Sequence, residues 1–456
     1  MRSCAAATHK SRLWAQAASL LARAWRLLGQ YGLTHYCRAG TMHITVIGAG
    51  VIGVTSAYFL ARQGHDVVLV DARSKPAQQA SHANGGQLSY SYVAPLAAPG
   101  VLPSVPGWLL RGDAPLRWRL RLDPRQWRWC LQFALACNAA TSQASTASLQ
   151  ALAYLSRDVL HALLEQEPLD FAHVRNGKLI VYRDAALLEK ARRQVAYQAR
   201  LGAEQQVLDA RQTLRLEPAL SGMGVDLAGA VYTPSEEAGD CRLFTEELYE
   251  RLLRMGNVAC RLGTAVRGFD RPDGRRIASV RTDSDSIRTD AVVLAAGTAT
   301  PALLHQLGGD APIYPLKGYS LTVPVAPGDA DVPDISVTDY QRRIVYARLG
   351  SVLRIAAMVD IDGVPDLVPE RVQLFKRQVR ESFPALDLDL AQAWAGQRPA
   401  TPRGVPLVGR SRAGDNLWLN AGHGALGFTL ACGSAALLTA QMSSMPLPLD
   451  ARDFLP

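Results

Sequence analysis

The run HITVIGAGVIG at residues 43–53 sets Gly48, Gly50 and Gly53 directly after an apolar strand, a spacing suited to holding a dinucleotide. Gly48 permits the tight turn out of the strand, Gly50 lets the backbone approach a pyrophosphate, and Gly53 lets helix and strand pack closely. The phosphates would meet the amides and the positive dipole end of the helix that follows. A second apolar strand, 66–70, ends at Asp71. That carboxylate can accept hydrogen bonds from both hydroxyls of an adenosine ribose, and it disfavours a 2′-phosphate. A strand, a glycine turn and a helix recur at 417–437, where Gly422, Gly424 and Gly427 free the backbone to approach a ring system. An NAD domain has no need of this second cradle. A flavin does, because it lies far from its adenine and, when reduced, carries negative charge that a helix N-terminus stabilises. The two turns together favour FAD, and His423 in the second is placed to hydrogen-bond a flavin or steer a proton.

These turns need a frame. A chain of 456 residues is too long for one simple core, so two domains are expected, and 48% apolar residues suit a globular protein. The formal charge is +9, but residues 1–41 hold six basic side chains and no acid, which leaves +3 for the rest and gives no case for nucleic acid as a partner. The seven cysteines have no metal-ligand spacing and read as reduced thiols in a cytosolic protein, and no metal is expected. In residues 1–41, Leu13, Ala17, Leu20, Leu21, Ala24, Trp25 and Leu28 share a helical face opposite Arg12, Gln16, Arg23 and Arg26. This segment lies outside the fold, either as a targeting or anchor helix or because Met42 is the true start. No run of 18 apolar residues occurs, so no membrane-spanning helix is expected.

Along the chain, residues 74–87 form a polar loop, and 95–137 mix prolines with Trp108, Arg111, Arg117, Trp118, Arg119, Arg121, Arg125, Trp127, Arg128 and Trp129. Helical periodicity covers about 148–165 and 185–201, with a strand at 176–183 between them. A strand from 228 leads to a helix capped by Asp240, then to a strand ending near Val266 and a short meander. An apolar strand at 291–294 runs into Ala295, Ala296 and Gly297, which would lie against the nucleotide. Residues 310–395 hold several strands and a helix near 372–382.

The segments GAGVIGVTSAYFL (48–60), NGGQLSYSYVAPLAAPG (84–100), YTPSEEAGDCRLF (232–244), YPLKGYSLTVP (314–324), GQRPATPRGVPLVGR (396–410) and NLWLNAGHGALGFTLACGS (416–434) closely resemble the FAD-dependent D-amino-acid dehydrogenases of the D-amino-acid oxidase and glycine oxidase superfamily. The resemblance runs from Met42 nearly to the end. It implies an α/β fold: a Rossmann-like FAD-binding domain (42–90, 226–309 and 396–445) and an α+β substrate domain (91–225 and 310–395) with a large antiparallel sheet. It also implies oxidative deamination of a D-amino acid to a 2-oxo acid and ammonia, by hydride transfer from the α-carbon to FAD. Electrons would pass to a respiratory, quinone-type acceptor at the inner face of the cytoplasmic membrane. The Trp and Arg segment offers a membrane contact, and intramolecular stacking is its rival reading. Alternatives are oxidation of a secondary amine such as D-proline, hydroxyproline or sarcosine, and an electron-transfer subunit with no substrate of its own.

Carried onto this chain, the resemblance puts Arg398 at the position of a carboxylate-clamping arginine, and its planar fork suits that task. Tyr319 and Tyr346 are expected to offer hydroxyls to the substrate, with His423 as the further catalytic candidate. The role of Lys317 stays open. His82 reads as loop packing, with covalent flavin attachment as its rival. The expected cofactor set is Ile44, Val46, Ile47, Gly48, Ala49, Gly50, Val51, Ile52, Gly53, Asp71, Ala72, Arg73, Ser81, Asn84, Gly85, Gly86, Gln87, Val266, Ala295, Ala296, Gly297, Gly422, Gly424, Leu426 and Gly427.

Overall fold

The computed structural model describes residues 40–456 except 104, 106–113, 120 and 224–226. The helical reading of the first 39 residues, and Trp108 and Arg111, lie outside the described residues. Two large sheets organise the rest. The first has six strands in the order Leu407–Arg410, Leu417–Ala421, Ala291–Leu294, His43–Ile47, Asp66–Asp71 and Val258–Leu262. All its junctions are parallel except the one made by the edge strand Leu407–Arg410. Such a sheet must be covered on both faces. Ile44, Val46, Leu60, Phe244 and Leu430 pack on one side, and Ile47, Val70, Val292, Leu304 and Leu419 on the other.

The helix Gly427–Met442 is apolar almost all round, and with its preceding turn it has the length and composition to cross a bilayer, which the sequence reading did not anticipate. It is a core helix instead, with 72% of its most apolar window buried. It touches the helices Val51–Arg62 and Ala139–Gln166. Gly433 permits the second contact, since a Cβ there would stand 2.7 Å from the Leu152 carbonyl oxygen. The helix Ala139–Gln166 starts well before 148, because the Asn138 side chain accepts the Thr141 amide and fixes its beginning. The five described cysteines form no disulfide.

The second sheet has nine strands, eight of them in the order Gln392–Ala400, Tyr314–Pro324, Val352–Ile361, Ile344–Leu349, Ser336–Asp339, Lys178–Tyr182, Gly229–Thr233 and Gln206–Asp209. The ninth, Leu116–Trp118, pairs with Val352–Ile361. That junction and the one between Ser336–Asp339 and Lys178–Tyr182 are parallel, and the others are antiparallel. Strand pairing corrects the expected domain limits: Gly229–Thr233 and residues 396–400, assigned from sequence to the nucleotide domain, run in this sheet. Strand pattern marks a strand but not its partner, so neither boundary could be read locally.

The two faces of this sheet differ. One is packed by the helix Pro369–Arg380, where Phe375 and Val379 join Tyr319, Tyr346, Ile355 and Ala357. The other meets the loop after the second Rossmann strand: a Cβ on Gly85 would lie 3.2 Å from Val345 Cγ2 and 3.6 Å from Ala356 Cβ. The Gln87 side chain donates to the carbonyls of Val337 and Tyr346, fastening loop to sheet. This second face looks toward the nucleotide domain, and the candidate site lies there.

Candidate active site

The glycine turn has the shape a phosphate-binding turn needs. Gly48 adopts φ +113°, and a Cβ there would come within 2.5 Å of the Ala295 carbonyl oxygen. A Cβ on Gly53 would fall on the Gly48 carbonyl. Gly50 faces only the Ser81 hydroxyl, which accepts the Val51 amide at 3.0 Å. The helix Val51–Arg62 has no capping side chain from Gly50 and no acid in its first turn, so an anion is not repelled there. Asp71 ties the turn to its own strand by accepting the amides of Ala49 at 2.6 Å and Arg73 at 2.7 Å. Of the other expected cofactor residues, Ile44, Val46 and Ile47 are buried strand positions and Ile52 is in the following helix. Val266 opens the three-stranded meander, and Ala296 and Gly297 follow the strand beside Gly48.

The second glycine turn closes the other end. Gly422 and Gly424 both have positive φ, and Leu426 and Gly427 begin the helix with no side-chain cap. His423 between them makes an isolated β-bridge with Ala400, the last residue of the strand that carries Arg398. Its ring is buried, Nε2 has no hydrogen-bond partner among the described residues, and burial lowers its pKa to about 3. Such an imidazole is neutral at working pH, and its free nitrogen fits a ligand that completes it.

Arg398 lies on the strand Gln392–Ala400, whose partner strand sets Gly318 directly opposite Gly396. Both glycines are required. The Arg398 guanidinium covers Gly318 and the Trp394 indole covers Gly396, each where a Cβ would otherwise be. A bulge steadies the arginine: the register slips between Lys317 and Tyr319, Met358 takes φ +63°, and its carbonyl accepts Arg398 Nη1 at 3.0 Å. Bulges beside sites re-aim groups in this way. No carboxylate among the described residues pairs with Arg398, and burial alone lowers its pKa to about 10. A half-buried cation with no anion among the described residues suits an anionic ligand.

Tyr319 and Tyr346 are not on this face, which corrects the expectation that they reach the substrate. Tyr319 pairs with Ala357 and donates its hydroxyl to Asp360 Oδ2 at 2.8 Å, within a buried group that includes Arg117 and Arg371. Burial and that carboxylate raise its pKa. Tyr346 packs edge-on to Phe383 at 4.8 Å. Alternation along a strand sends neighbours to opposite faces, and the two tyrosines fall on the core side. Lys317 is on that side too, paired with Asp362 at 2.8 Å. His82 is exposed near Trp394, their ring centroids 6.0 Å apart.

Sequence reasoning missed Gly318, Gly396, Trp394 and Met358. The available signal was a glycine inside each of two strands, which marks close approach. The bulge at Met358 left no trace in residue type.

Comparison with known proteins bears on the family and the fold. The model of the FAD dependent oxidoreductase family matches residues 43–441. "D-amino acid dehydrogenase 2" of Ralstonia nicotianae is 51% identical over 407 residues, covering 87% of this chain and 95% of that protein. The protein of the same name from Pseudomonas aeruginosa is 49% identical over 416 residues, covering 91% and 98%. In fold, the chain is similar to glycine oxidase from Geobacillus kaustophilus, with a TM-score of 0.71 at 20% identity, covering 91% of this chain and 98% of that one.

Proposed function

This chain belongs to the family of FAD-dependent oxidoreductases, and from that premise we propose that it is a D-amino-acid dehydrogenase, yielding a 2-oxo acid and ammonia. FAD, when bound, supplies the acceptor for a hydride from the substrate α-carbon. Gly48, Gly50 and Gly53 with Asp71 would hold its nucleotide half, and the turn around His423 its ring system. The protein's own task is positioning. Arg398 takes the substrate carboxylate in its fork, Met358 and Gly318 fix the guanidinium, and the Trp394 indole walls off the adjoining surface. The observation that carries this reading is the half-buried Arg398 guanidinium, with which no carboxylate among the described residues pairs. A panel of D- and L-amino acids and N-methyl amines, assayed with a dye acceptor and with oxygen, tests it. D-isomers with the dye are expected to give the fastest turnover; reduction by L-isomers alone or by N-methyl amines alone would overturn it.

The same reading sends the electrons to a respiratory, quinone-type acceptor, with the enzyme bound to the inner face of the cytoplasmic membrane. What supports it is the helix Pro124–Ala136. Trp127, Leu131 and Leu135 of this helix are 46%, 63% and 71% exposed, and the preceding Leu122 is fully so. Arg119, Arg121, Arg125 and Arg128 beside them are exposed and suit anionic lipid. Other parts of the segment turn inward, as Trp129 donates to the Ala400 carbonyl at 2.8 Å. Flotation with vesicles of anionic lipid should be lost in Leu131→Glu; unchanged flotation would remove this helix as the contact.

A further inference from the structure

We infer that Ser320 binds the α-amino group of the substrate and so forms, with Arg398, a two-point clamp that fixes the configuration at the α-carbon. This rests on Arg398 holding the carboxylate. Ser320 is 2% exposed, and its hydroxyl has no hydrogen-bond partner among the described residues. A buried hydroxyl left in that state is destabilising, so native structures keep one where something else completes it.

Its position says what completes it. Ser320 pairs with Trp394 on one neighbouring strand and Ala356 on the other. Residues opposite one another share a face, so its hydroxyl stands on the face that meets Gly85 and carries Arg398. Along its own strand it is two residues from Gly318, the position the guanidinium covers, a spacing of roughly 6.6 Å. One hydrogen bond at each end, of about 2.8 Å, and the single carbon between carboxylate and amine span that interval.

A serine hydroxyl accepts an amine N–H while leaving the nitrogen lone pair free, which loss of hydride from the adjacent carbon requires. The nearby tyrosine hydroxyls are not available for this role, because Tyr319 and Tyr346 belong to the opposite face. With the carboxylate on Arg398, the amine on Ser320 and the α-hydrogen directed to the nucleotide domain, three substituents are assigned, and only one enantiomer satisfies all of them.

The test compares Ser320→Ala, Ser320→Cys and Arg398→Met with the parent, all as holoenzymes. Three quantities are read: flavin content, the Kd of D-alanine from anaerobic flavin reduction, and the inhibition constant of propionate, which has a carboxylate but no amine. Both Ser320 variants should keep the parent's flavin, weaken D-alanine about tenfold, as loss of roughly 1.4 kcal/mol implies, leave propionate unchanged and narrow the ratio of D- to L-alanine turnover. Unchanged D-alanine binding would overturn the inference, as would equal weakening of propionate or loss of flavin from both Ser320 variants. Arg398→Met should weaken both ligands. If it spared propionate, the carboxylate reading would fail instead, a result distinct from any failure at Ser320.

Discussion

Two polar groups on opposite faces of one sheet show how position divides chemistry from support. Arg398 is half-buried and, among the described residues, hydrogen-bonds only to the Met358 carbonyl, which leaves its charge open to a ligand. Asp360, on the other face, meets Arg117, Arg371 and the Tyr319 hydroxyl, and its charge is already answered. Tyr319 is accordingly a structural residue. Tyr319→Phe removes a hydrogen bond to a charged, buried acceptor and should lower stability by about 2 kcal/mol. It should leave kcat/KM for D-alanine close to the parent value. Denaturant unfolding alongside steady-state assays checks this, and a collapse of kcat/KM with unchanged stability would return Tyr319 to the active site. The motif around Tyr319 was legible in the sequence, but the direction of its hydroxyl was not. One residue of strand register decides it, and here the register passes a bulge.

Among elements, the helix Val51–Arg62 depends most on a single missing atom. Gly53 sits where a Cβ would collide with the Gly48 carbonyl, so helix and glycine turn approach more closely than any other residue allows. Gly53→Ala must push them apart, and overpacking of this kind costs about 1–3 kcal/mol. The amides of the first helical turn would move with it. The variant should therefore purify largely free of flavin, as absorbance near 450 nm would register; normal flavin content would show that the turn tolerates the shift. This part of the site was readable because its elements are contiguous in sequence. The strand pair that seats Arg398 was not, because Gly318 and Gly396 come from distant segments.

At the scale of the whole molecule, Glu237 fastens parts that the sheets alone would leave loosely joined. It lies in the two-stranded ribbon with Gln87 and Leu88, and it accepts from Tyr90 at 3.0 Å. It also meets His173 at 2.8 Å and His161 of the long helix. Burial pushes its pKa up, but the hydrogen bonds and charges of the two histidines outweigh that and bring it down to about 2 from an ordinary 4.5. A carboxylate whose folded pKa is depressed adds stability above its unfolded pKa and loses it as pH falls through the folded one. The contribution, on the order of 3 kcal/mol, is thus present above about pH 4.5 and fades toward pH 2. Urea unfolding at pH 7, 5 and 3 should show the parent losing more stability across the last interval than Glu237→Gln; equal losses would place the acid sensitivity elsewhere.

By itself the sequence determined the parallel nucleotide-binding sheet, its glycine turns and the acid that ends its second strand, because each is a local pattern with a local cause. It also determined the family, through several motifs in fixed order. Only the tertiary structure decided which strands join the larger sheet, which face each side chain takes, and that no carboxylate among the described residues pairs with Arg398. Those are properties of pairing between distant segments, and residue type does not encode a partner.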